Sequence, residues 1–96
     1  MVKYTIFQSD RSERDLLGIF LHIAKDSVNI ANDYCDGLER KINSLKLSPK
    51  RGKKIGTNKY WILYRSHFIF YSVHEKVKEV KIHHIRHVMK KPIHTK

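Results

Sequence analysis

Six of the seven histidines in this 96-residue chain lie in its second half, and His83, His84 and His87 crowd beside Arg86. Imidazoles can hold a metal, move a proton near neutral pH or contact a phosphate. The spacing disfavours a metal. On a strand, His83 and His87 share a face about 13 Å apart, too far to chelate one ion, and no carboxylate or thiol adjoins them. Only a helical turn after Ile85 would bring His84 and His87 together. Surface or phosphate-contacting imidazoles are therefore expected, with no metal and no cofactor. A second basic cluster follows Ser48-Pro49, where Lys50, Arg51, Lys53 and Lys54 surround Gly52. It suits either a phosphate or acidic-peptide contact or a solvated connector. It is not a P-loop, because the glycine pattern and the following Ser/Thr are missing. No local motif arranges a Ser/His/Asp or Cys/His nucleophile. Cys35 falls mid-helix beside core positions and reads as an inert buried thiol.

The elements that must position these side chains are legible from periodicity. Residues 60–64 and 68–73 are almost wholly aromatic or β-branched, as in strands covered on both faces. Arg65-Ser66-His67 leaves room only for a tight turn, so these two strands pair antiparallel. A third run alternates, with Val80, Ile82 and His84 on one side and Glu79, Lys81 and His83 on a wet, basic side. Phe68, Phe70 and Ile82 are the expected core, and Trp61 and Tyr64 are expected with them. Upstream, residues 2–7 suit a first strand, and Asp10 with Glu13 has the spacing of a capping box. Leu16, Ile19, Phe20 and Ile23 mark one side of a helix over residues 11–24. Asp26-Ser27 can cap the next helix, whose apolar face runs through Ala31, Tyr34, Leu38, Ile42 and Leu45 to about Lys46. Gly37 within it costs roughly 1 kcal/mol against Ala. A helical hairpin packed on one face of a small, mainly antiparallel sheet follows, an α+β fold of order β-α-α-β-β-β.

Length and charge bound what this fold can carry. Ninety-six residues form one core. The expected domain spans residues 1–91, and the tail 92–96, which begins at Pro92, is expected to fray. The net charge of +11 is uneven: residues 1–48 hold seven Lys/Arg and seven Asp/Glu, whereas residues 49–96 hold thirteen Lys/Arg against Glu75 and Glu79. An acidic partner is expected for the sheet half, whether nucleic acid or a protein segment. With no apolar leader at the N-terminus, no membrane-spanning run and a lone cysteine, a cytoplasmic location is expected.

In order and in local text, the chain resembles the RelE/ParE toxin superfamily of bacterial type II toxin–antitoxin modules. The ParE-like strand text YRxHxIFYxV corresponds to Tyr64-Arg65-Ser66-His67-Phe68-Ile69-Phe70-Tyr71-Ser72-Val73. A following pattern, VxIxxIxHxR, is resembled at residues 77–86, where Val77, Ile82, His84 and Arg86 take its places. Asp15-Leu16 stands early in the first helix, as in that superfamily. The resemblance covers nearly the whole chain and is closest to ParE.

This resemblance implies a cognate antitoxin and one of two targets. ParE-like members poison DNA gyrase without chemistry of their own. RelE-like members cleave mRNA on the ribosome, which asks for a general base, a general acid and a cation at the scissile phosphate. For cleavage the candidates are His84, His87, Arg65 and Arg86, with Lys53 and Lys54 as RNA contacts. For target or antitoxin binding the candidates are Arg65, His67, His84, Arg86, His87, Lys90, Lys53 and Lys54. Gyrase inhibition is the expectation, and a small basic nucleic-acid-binding module is a further alternative. That module would need a solvent-facing Trp61 for base stacking.

Overall fold

The computed structural model of the protein describes residues 2–89. Lys90 and the tail 92–96 lie outside the described residues. A first strand, β1 (Thr5–Gln8), leads into α1 (Asp10–Ala24) and α2 (Val28–Asn43), and a 3₁₀ turn (Ser44–Lys46) extends the second helix. Four strands follow: β2 (Lys53–Gly56), β3 (Lys59–Tyr64), β4 (His67–His74) and β5 (Glu79–His87). The sheet order is β1-β5-β4-β3-β2, antiparallel except where β1 lies parallel to β5. The α+β fold with its helical hairpin is as expected.

Several local expectations are corrected. Ser9, not Asp10, caps α1, its hydroxyl accepting from the Ser12 N–H at 3.0 Å. Ser27 caps α2 in the same way through Ile30 N–H at 3.1 Å. Lys53 and Lys54 belong to a strand rather than a loop, pairing with Trp61 and Tyr60. This fifth strand is exposed throughout, so no apolar alternation marks it in the sequence.

Both helices cover a single face of the sheet. Leu38, Ile42 and Leu45 join Tyr60, Ile62, Ile69, Tyr71, Val73, Val80, Ile82 and Ile85 in one buried cluster. Each such aliphatic side chain contributes roughly 1.5–3 kcal/mol by leaving water. At Gly37 the ring of Tyr64 lies against α2 so closely that a Cβ would meet it. The second layer expected over β3 and β4 is absent among the described residues. Phe68 and Phe70 are therefore half-buried on the other face, and only Ile82 of the three expected core residues is sealed.

The larger correction lies in β5. Phe70 pairs with His84 and Tyr71 with Ile82, leaving His83 as an extra residue in a β-bulge. Alternation restarts there. Val80, Ile82 and Ile85 all enter the core, whereas His84 moves to the face opposite Val80 and Ile82. Strict period-2 reading cannot foresee the shift.

Candidate functional site

The helix-free face of the sheet gathers the chemistry-bearing side chains into two rows. Lys53, Trp61, Phe70 and His84 are cross-strand neighbours through four strands, as the strand registers show. Leu63, Phe68 and Arg86 form the adjacent row. Its centre is aromatic: Trp61 meets Phe68 edge-on at 4.7 Å, and Phe68 lies 6.1 Å from Phe70. These rings cover one another in place of a second helical layer. Leu63 beside them is 44% exposed, so the apolar surface is continuous with solvent.

His84 stacks on Phe70 with ring centroids 4.5 Å apart and an interplanar angle of 21°. Burial, assisted by the nearby Arg11 guanidinium, holds its pKa below the usual imidazole range, and Asp15 opposes the shift. Arg86 shares this face opposite Phe68. α1 borders the site because β1 ends at Gln8 and leaves the far half of β5 without a strand partner on that edge. Ser9 Oγ there donates to the His83 carbonyl at 2.7 Å, and Asp15 Oδ2 accepts the Ile85 N–H at 2.9 Å.

His67 and His87 occupy a different environment, at the end of the sheet where β4 and β5 pair. Their rings meet edge-on at 5.0 Å. The Tyr34 hydroxyl, 2.7 Å from His67 Nδ1, also accepts the Ser66 N–H at 3.2 Å. Two arrangements satisfy this geometry: the hydroxyl donates to an unprotonated Nδ1, or Nδ1–H donates to the hydroxyl while the hydroxyl donates to the Tyr64 carbonyl at 3.5 Å. Burial, with some help from His87, pushes the His67 pKa down to about 4. His87 Nδ1 accepts the Met89 N–H at 3.0 Å.

Arg65 stands exposed in the β3–β4 turn at φ 49°, its guanidinium 5.6 Å from the Tyr64 ring centre. The structure thus separates the sequence candidates: Lys53, His84 and Arg86 share the open face, His67 and His87 the sheet end, and Arg65 the turn. No group of three or more His, Cys, Asp or Glu residues suited to a metal occurs among the described residues. Cys35 is partly buried, and desolvation together with Glu39 and Asp36 raises its pKa, which keeps it a poor nucleophile. The surface position of Trp61, Leu63, Phe68 and Phe70 is not legible in the sequence, because apolar strand text looks the same whether one face or both are covered.

Among described residues no helix is long and apolar enough to cross a membrane. No curated protein sequence matches the chain. Its fold is similar to that of a chromosomal ParDE system from P. aeruginosa, with TM-score 0.75 and 16% identity over 90% of this chain and 97% of that one. It is also similar to the RelBE2 toxin–antitoxin complex of Mycobacterium tuberculosis, with TM-score 0.63 and 21% identity over 91% and 93% of the two chains. The intact E. coli RelBE complex gives TM-score 0.63 and 17% identity over 91% and 99%. The family model for the ParE toxin of the type II toxin–antitoxin system parDE matches residues 6–92, and the chain belongs to that family.

Proposed function

We propose that the protein inhibits DNA gyrase by binding it, without catalysing a reaction, and that a cognate antitoxin protein neutralises it. The ParE family supports the first part, and the similarity to toxin–antitoxin complexes supports the second. The observation that carries the choice of target is the centre of the open face. Trp61, Leu63, Phe68 and Phe70 form an apolar surface with His84, Arg86 and Lys53 at its margin, which is the composition of a protein contact. RNA cleavage asks for an acid and a base converging on one ribose and phosphate. Here His84 lies flat on Phe70, while His67 and His87 face each other at the sheet end. Trp61 is half-buried on this open face, and its apolar neighbours Leu63, Phe68 and Phe70 suit a protein contact better than the alternative of a base-stacking nucleic-acid module.

Purified protein incubated with gyrase and supercoiled plasmid should stabilise cleaved DNA, and programmed ribosomes should show no mRNA cuts. His84→Ala and His87→Ala should weaken gyrase inhibition gradually. Arg86→Ala should act through lost affinity, by about 1–3 kcal/mol for a hydrogen-bonded charge. Codon-dependent mRNA cuts that disappear in His84→Ala, with supercoiling unaffected, would instead establish the RelE-like nuclease.

A further inference from the structure

The bulge at His83 builds a second basic cluster on the open face, in the row next to Trp61 and Phe70. Ser72 Oγ lies 2.8 Å from His74 Nε2 and 2.8 Å from His83 Nε2, so both imidazoles converge on one hydroxyl. The strand registers place Lys59 on one side of Ser72 and Lys81 on the other. Cross-strand neighbours have their Cβ atoms about 5 Å apart, so two lysine side chains can reach over Ser72 from opposite strands. Next to this row, over the β1–β5 pair, an open groove of about 410 Å3 is lined by Phe7, Glu79, Lys81 and His83.

We propose that Lys59, Ser72, His74, Lys81 and His83 form a binding site for a phosphate group. Lys59, Lys81 and the Ser72 hydroxyl supply donors from three strands, the two imidazoles hold Ser72 Oγ through Nε2, and tetrahedral oxyanions accept from several directions. Ser72 works as the hinge of the set. Its oxygen can accept from both imidazoles when both present Nε2–H, which frees its own proton for the anion. With no anion in place, the hydroxyl can instead donate to one ring and accept from the other. The cluster is electropositive as it stands: burial lowers the His83 pKa, and His74, Lys59 and Lys81 lower it further. A bound phosphate reverses those last contributions, so binding and protonation of His83 reinforce each other. Glu79, opposite His74 in register, makes part of the groove acidic and directs the anion toward the Lys59–Lys81 row. This site is independent of the gyrase reading, since it uses none of the residues of the aromatic surface.

The test is an NMR titration of the histidine ring signals of the full chain with inorganic phosphate at constant ionic strength, chloride serving as the control. His74 and His83 should shift saturably, His83 toward its imidazolium position, while buried His67 stays still. The doubly substituted Lys59→Ala, Lys81→Ala protein should bind at least about tenfold more weakly, the loss expected when charged donors to an anion are removed. Both lysines are exposed, so this variant should melt like the parent. Ser72→Ala should uncouple the two rings, so that phosphate no longer moves them together. A nucleoside 5′-monophosphate is the second probe: tighter binding than inorganic phosphate, with Phe7 ring shifts, identifies a phosphate ester as the ligand, and equal affinity identifies the free ion. Absence of saturable shifts with either probe, or the same shifts in the double-lysine variant, would overturn the site.

Discussion

Asp15 on α1 accepts the backbone N–H of Ile85 on β5 through Oδ2 at 2.9 Å, across 70 residues of sequence. That N–H faces the edge where β1 has already ended, so a side chain replaces the missing strand. The bond ties the helical hairpin to the half of β5 that carries His84 and Arg86. Asp15→Ala should cost about 1–3 kcal/mol by leaving a buried N–H unpaired. Asp15→Asn, which keeps an acceptor oxygen, should cost less. Urea unfolding of the three proteins checks the order, and hydrogen exchange at Ile85 should accelerate in the alanine variant.

His67 links stability to pH. Its pKa is about 4 when folded and near 6.5 when unfolded, so the unfolded chain binds more protons between those values. The stabilisation is present in full above pH 6.5 and is lost as pH falls toward 4. The slope from this group is at most about 1.4 kcal/mol per pH unit. Urea midpoints measured from pH 7 to 4.5 should fall for the parent and fall less for His67→Gln. A flat parent profile would remove His67 from the account.

The two faces of the sheet predict opposite mutational profiles. Ile82, 0% exposed, should cost about 2–5 kcal/mol when changed to Ala. Phe70→Ala and Phe68→Ala should each cost less, because these half-buried rings leave no sealed cavity. Under the proposed function, the Phe variants should nonetheless lose gyrase inhibition while remaining folded. Thermal melts paired with the plasmid assay separate the two effects.

Antitoxin binding should combine charge with apolar burial. The +11 chain favours an acidic partner segment, and Leu17, Leu21, Val28 and Ile30 on the hairpin are each more than half exposed. The complex should tighten at low salt. Affinity unchanged up to about 1 M salt would show that the basic half contributes nothing to the contact.

The helical hairpin, the antiparallel β3–β4 pair and the superfamily are legible in the sequence, because these rest on short-range periodicity and local text. The apolar stripe through Leu38, Ile42 and Leu45 and the Ser27 cap depend on neighbours three or four residues away. Which face of the sheet stays open was decided by the tertiary structure. Phe68 and Phe70 read as core because a strand's composition does not reveal whether one layer or two cover it. The bulge at His83 was equally hidden. It lies in the pairing with β4, beside the contacts of Ser9 and Asp15, all distant in sequence, and it sets His83 and His84 on the same face. Alternation assigns adjacent residues to opposite sides, so only the folded sheet could bring His83 to Ser72 and His84 to Phe70.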